Sequence, residues 1–293
     1  MSEQIDNEEL EKFKEMMRQH NLLREARKRV DFADFVKEAG NMEGYEALAE
    51  SAKNVIPIIE TAMEDGEIPV GASKMGGYPD LPPSIPYPVM EEFTEEKKEW
   101  VEVRPGVRKC QPTGFITYPK SAMQLLGQFN LAEVAPFDKD NLLPKTGMLY
   151  FFWSGELPYF AKEVTPVKVI YWDGDMSELR RTVPDEPYYE KYFTQALPSK
   201  KFTFEYCKNE YDVNEIEEEL GEQYDYYSDY NVYGAKLFGY PEGVNIDCPR
   251  GDMINLFQSS YSEGCISGIY WYISKQDLAN RNFDSVVFVE DLD

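Results

Sequence analysis

The stretch Gly71-Ala72-Ser73-Lys74-Met75-Gly76-Gly77-Tyr78-Pro79-Asp80-Leu81-Pro82 constrains this chain more than any other. Proline lacks an amide hydrogen, and glycine reaches backbone conformations closed to other residues, so the segment reads as a tight bend. A shorter version, Lys236-Leu237-Phe238-Gly239-Tyr240-Pro241, recurs far downstream. Each is followed by an apolar run holding a glutamine and then by an aromatic run. After the first come residues 123–131, with Gln128, and 148–153. After the second come 253–258, with Gln258, and 268–273. Nearly continuous apolar character suits strands covered on both faces. The pattern predicts an α+β fold: two related antiparallel β-rich halves forming one body, with an N-terminal helical segment packed on it. The expected organisation is a helical segment over 1–66 and an α+β domain with weak internal duplication over 67–293.

The helical expectation rests on spacing. Leu10, Phe13, Met17, Leu22, Leu23 and Ala26 recur at helical intervals. Asp31 can cap a second helix burying Phe32, Phe35 and Val36, and Gly40 can end it. Tyr45, Leu48, Ala49 and Ala52 suggest a third, kinked or restarted at Pro57. These helices read as a cap on the β body, with a partner-docking arm as the alternative. Downstream, the charged run 91–99 reads as a solvated turn or short helix. Phe115, Ile116 and Tyr118 suggest a strand. Residues 167–172 form another, 276–278 begin a helical turn, and 286–289 form a closing strand.

Charge narrows the partners. The chain carries 30 basic and 54 acidic residues, a net charge of −24. Such a surface repels phosphate backbones and anionic membranes, so neither nucleic acid nor a membrane is an expected partner. A basic protein would be attracted over long range. No apolar run is long enough to span a bilayer, and the acidic start lacks a signal-peptide core. Cys110, Cys207, Cys248 and Cys265 are widely spaced, with no Cys-x-x-Cys pair. Free thiols in a reducing cytoplasm are the simplest reading.

Several chemistries fall away. The glycines of 71–76 have phosphate-loop spacing, but Gly77 and Tyr78 stand where lysine and a hydroxyl residue are required, and Pro79 blocks the following helix. Asp173-Gly174-Asp175 begins like a calcium loop, yet Glu178 and Pro184 occupy its glycine and glutamate positions. His20 is the single histidine, which argues against histidine-based triads, zinc sites and proton shuttles. No catalytic residue, metal ligand or cofactor is nominated. The acidic, tyrosine-rich stretch around 210–230 reads as a solvated helix and loop, the alternatives being oxygen ligation of a cation or docking of a basic partner. Gln128 and Gln258 are either structural amides bonding the bends or polar groups lining a pocket between the halves. The candidate binding residues are Ser73, Lys74, Gly76, Gly77, Tyr78, Gln128, Tyr240 and Gln258.

These motifs resemble the YwqG-like family of bacterial proteins, a domain of unknown function. The resemblance runs through Ser73, Lys74, Gly76, Gly77, Pro79, Leu81 and Pro82, then Leu126, Gln128, Phe129 and Asn130. It continues through Leu143, Pro144, Gly147, Leu149, Phe151 and Phe152 to Gly239, Tyr240, Pro241 and the closing Asp277, Leu278 and Phe283. Two positions depart from the family pattern: Ala235 precedes Lys236 where relatives often carry histidine, and Gly264-Cys265-Ile266 replaces a Trp-Gly-Asp. The resemblance implies an α+β fold, no established activity, and an immunity or accessory role beside toxin systems. The expected function is therefore a non-catalytic, acidic interaction protein, toxin-immunity-like. The alternative is a ligand-binding or enzymatic domain with its pocket between the halves. The sequence fixes no oligomeric state.

Overall fold

A computed structural model describes residues 51–155, 167–189, 193–206, 208–210, 232–242, 251–261 and 266–292. The first three strands are β1 (Lys53–Ala62), β2 (Lys74–Met75) and β3 (Asp80–Leu81). Then come β4 (Val89–Met90), β5 (Phe93–Arg104), β6 (Val107–Tyr118), β7 (Ser121–Ala122) and β8 (Gln124–Asn130). After a four-residue helix α1 (Leu131–Val134) follow β9 (Met148–Trp153), β10 (Val167–Trp172), β11 (Arg180–Arg181) and β12 (Lys200–Phe204). The rest are β13 (Lys208–Glu210), β14 (Lys236–Phe238), β15 (Met253–Ser259), β16 (Ile266–Ser274), helix α2 (Lys275–Ala279) and β17 (Val287–Leu292).

One antiparallel sheet of eleven strands carries the fold, in the order β10-β9-β8-β2-β12-β1-β14-β15-β16-β17, with β13 also on β1. Its ends curl towards each other. Trp153 Nε1 on β9 donates to Glu290 on β17 at 2.9 Å, and Tyr171 on β10 packs against Phe283 at 5.7 Å. The interior is aromatic. Phe129 of β8 meets Phe257 of β15 at 5.0 Å although four strands separate them along the sheet. Phe151 and Trp271 close the same cluster, at 5.0 and 5.1 Å from Phe257. Contacts between strands so far apart require a barrel-like sheet that is nearly closed. A smaller outer core of Leu81, Leu125, Tyr150, Phe152 and Leu179 lies against the other face.

This corrects the α+β expectation. The described residues are 49% strand and 10% helix, and their only α-helices assigned as elements are α1 and α2. The continuous sheet and its shared interior leave no boundary between two halves. Residues 1–50, on which the helical readings and His20 fall, lie outside the described residues. Residues 53–62, expected to extend the third helix, are strand β1 instead. Val55, Ile56, Ile58, Ile59 and Thr61 are β-branched and stiff at χ1, which favours a pleated strand. Pro57 is tolerated at its pairing with Lys236, where its carbonyl still accepts from Glu205 N at 3.1 Å. The charged run 91–99 is likewise neither turn nor helix but most of β5, one arm of a long hairpin. The strands expected at 123–131, 148–153, 167–172, 253–258 and 268–273 are present as β8, β9, β10, β15 and β16.

Candidate functional site

The first bend is built around a buried lysine. Lys74 sits on β2, opposite Gln128 of β8, and its side chain is fully buried. Its Nζ donates to Asp65 Oδ1 at 2.6 Å and to the Tyr78 carbonyl. Gly76 and Gly77 reverse the chain at φ 65° and 62°, the left-handed region that glycine enters without strain. Their amides donate to Leu125 and Leu197 carbonyls at 3.1 and 2.8 Å. The reversal brings Tyr78 N to Asp65 Oδ2 at 3.2 Å. Gln128 closes the bend. Its Nε2 donates to Ala72 O at 2.8 Å and to Asp80 Oδ2 at 2.7 Å, and its Oε1 accepts from Asp80 N at 2.8 Å. Arg181 of β11 joins both acids, at 2.7 Å from Asp80 Oδ1 and 2.9 Å from Asp65 Oδ1. Ser73 Oγ accepts from Asn130 N at 2.9 Å, and Ser73 N donates to Glu133.

The second bend repeats this bonding with different residues. Lys236 of β14 is opposite Gln258 of β15, and its Nζ donates to Glu210 Oε1 at 2.7 Å and Val232 O at 2.8 Å. Phe238 and Gly239 turn the chain at φ 66° and 73°. Tyr240 N then donates to Glu210 Oε2 at 2.7 Å. Gln258 Nε2 donates to Gly234 O and Glu242 Oε2, both at 2.8 Å, and its Oε1 accepts from Glu242 N at 3.1 Å. Lysine, tyrosine, acid and glutamine thus occupy corresponding places at both bends. The likeness concerns each bend and its glutamine strand, within one continuous sheet.

Electrostatics follow from burial. Burial works to raise the Asp65 carboxyl, but Lys74, the Tyr78 amide and Arg181 outweigh it and hold Asp65 below its ordinary 3.8. Burial draws the Lys74 ammonium down, against the pull of Asp65. Burial works to lower Arg181, and Asp80 and Asp65 overcome it. Burial pushes Glu210 up, although Lys236 and two backbone amides, all donors, favour the carboxylate. Because the folded value of Asp65 is depressed, its contribution to stability is present above the unfolded value and lost as pH falls through the folded one. Asp65→Asn is therefore expected to lose about 2 kcal/mol at pH 7. The gap from wild type should close as melts are repeated below pH 3.8.

The candidate residues separate into two groups. Ser73, Lys74, Gly76, Gly77, Tyr78 and Gln128 meet at the first bend; Tyr240 and Gln258 belong to the second. Strand alternation puts Gln128 on the opposite face from the interior Phe129, and Gln258 opposite the interior Phe257. Both glutamines therefore lie on the outer face, five strand spacings apart along the sheet. They do not line a common pocket. Sequence reasoning missed Asp65, Arg181 and Glu210, for which no local signal exists. It also missed Asp80 and Glu242 as a pair, although each follows the bend tyrosine by two residues.

Chemically, each bend is a clamp: the first balances Lys74 and Arg181 against Asp65 and Asp80, and the second pairs Lys236 with Glu210 and holds Glu242 through Gln258. Lys74 and Lys236 each donate to a carboxylate and to a backbone carbonyl, so both amines are engaged within the fold. Of the acidic stretch, Glu210 is bound by Lys236, Val232 N and Tyr240 N, while residues 211–231 lie outside the described residues. Among the described residues no group of three or more histidine, cysteine, aspartate or glutamate side chains is placed to hold a metal ion. No described helix is long and apolar enough to cross a membrane.

A search of curated proteins gave no match. A family model described as "Domain of unknown function (DUF1963)" matches residues 73–291, from Ser73 at the first bend into β17. By that match the chain belongs to the DUF1963 family, whose defining region begins on the first clamp and takes in the second.

Proposed function

We propose that this protein is a non-catalytic interaction domain that binds a basic protein through its acidic surface. One observation carries the reading: the cations of the bends, buried Lys74 and Lys236 and half-buried Arg181, are matched by acids of the same chain. The motif side chains stabilise the fold, and the surplus negative charge stays available for a partner. The YwqG-like resemblance adds a role of the toxin-immunity kind, in which an acidic protein masks a cationic one. Opposite charge on the partner's surface would then speed association and make it sensitive to salt.

The full chain, immobilised and exposed to native-host extract at low ionic strength, is expected to retain a basic protein that raised salt releases. The purified pair should then bind about tenfold more weakly between 50 and 300 mM salt, because screening shortens the reach of surface charge. A retained partner that is neutral or acidic, or a dissociation constant indifferent to salt, would overturn the proposal.

A further inference from the structure

Among the described residues, the hairpin of β5 and β6 pairs with no other strand. Its base is anchored: Phe93 stacks on Tyr118 at 4.6 Å, and Tyr118 hydroxyl donates to Glu95. Beyond that base, residues 97–109 are exposed on both faces of the ribbon. Twelve residues per strand give an arm roughly 40 Å long. Its surface carries large apolar groups, with Trp100 61% and Phe115 77% exposed, and Val101, Val103 and Val107 exposed beside them. Two-stranded ribbons are marginal in water, and free strand edges recruit further strands.

The two edges differ. Along β6, Pro112 removes a donor and the register shifts at Thr113, which blunts that edge. Along β5 there is no proline, and its own register shift lies near the tip, at Val103, so its outer edge is regular up to Glu102. The charges on β5 then select a partner. Glu96, Lys98, Trp100 and Glu102 share one face, and the register shift at Val103 turns Arg104 to the other. Antiparallel pairing of two such strands centred on Trp100 sets Lys98 opposite Glu102, in both directions. Moving the centre one residue towards the base sets Glu96 against Glu102, and moving it one towards the tip sets Glu102 against Trp100. Moving it by two sets Lys98 or Glu102 against itself. The pair is self-complementary in one register, and the others lose it or set like charges opposite.

We propose that β5 pairs antiparallel with the β5 of a second copy of this chain, joining two hairpins into a four-stranded sheet about a two-fold axis at Trp100. The contact is isologous and closes on itself. Global charge favours this placement. The hairpin holds five basic and four acidic residues on a chain of net charge −24. A 40 Å arm holds two acidic bodies apart by more than the Debye length of about 10 Å, so their repulsion is screened. Cys110 lies opposite Trp100 within the hairpin. Two Cys110 residues would stand three strand spacings apart, about 14 Å, which is beyond disulfide reach.

Sedimentation of the full chain in reducing buffer tests the pairing. The wild type should show a concentration-dependent dimer. Lys98→Glu sets two acids opposite each other, and Glu102→Lys sets two cations opposite each other. Each should raise the dimer dissociation constant about tenfold, since the pair occurs twice. An equimolar mixture of the two variants restores opposite charges at both contacts and should dimerise again, as should the chain carrying both substitutions. A wild type that stays monomeric up to about 100 μM, a level at which even a weak isologous contact would populate the dimer, overturns the proposal. So does a dimer untouched by either variant, or one that reductant dissolves.

Discussion

Lys236→Met is expected to destabilise the protein by about 3–5 kcal/mol, because it leaves Glu210 buried and uncompensated. Both side chains are nearly inaccessible, and Lys236 is the only side chain recorded as an ion-pair partner of Glu210 among the described residues. The same substitution at the first bend should cost less, about 1–2 kcal/mol, since Asp65 is 22% exposed and keeps Arg181. Thermal melts of the two variants should therefore separate by several degrees. The pH dependence distinguishes a lost ion pair from lost packing. Without Lys236, only the Val232 and Tyr240 amides oppose burial, and the folded value of Glu210 rises further above the ordinary 4.5. A carboxyl raised in the folded state favours folding when protonated, and that benefit is lost as pH rises through the folded value. The deficit of Lys236→Met should accordingly shrink as pH is lowered from 8 towards 4.5. Equal losses at the two lysines, or a deficit constant with pH, would contradict the assignment of Glu210 as a stranded carboxylate.

That asymmetry bears on what the sequence could convey. Strands such as β8, β9 and β16 were legible because long apolar runs have few other ways to be buried. The bends were legible because Gly76-Gly77 and Gly239 sit beside Tyr-Pro. Partner identity was not. Asp65 lies in an acidic surface-like context, and Arg181 reaches it from over a hundred residues away, so neither carries a local pattern. β1 was read as helix because alanine and leucine spacing ran up to Ala52, while the β-branched run that overrides it includes a proline. The charged run of β5 was read as a turn or short helix because its alternation is charge against charge, and an arm exposed on both faces shows no apolar period. The α+β expectation failed at the level of assembly. A likeness of two bends says nothing about whether their strands form two sheets or one, and here Phe129 against Phe257 makes it one.

Gly239→Ala is the other substitution with a large expected effect, about 3–5 kcal/mol, and its cause can be isolated. Gly239 has φ 73°, where a side chain adds roughly 1–2 kcal/mol of backbone strain. A Cβ there would also come within 2.0 Å of Glu210 Oε2. The end of a flexible side chain would simply move aside, but Glu210 is held by Lys236, Val232 N and Tyr240 N and is fully buried. Displacing it breaks charge-assisted bonds worth roughly 1.5–3 kcal/mol each. Gly234 provides the control within the same bend. Its φ of 84° imposes the same strain, yet nothing lies within 4 Å of an added Cβ. Gly234→Ala should therefore cost only the backbone term, about 1–2 kcal/mol. Denaturant titration of both variants reads the difference directly, with unchanged slopes if each remains two-state. If the two alanines cost the same, Glu210 is free to move, and the second clamp is looser than its distances indicate.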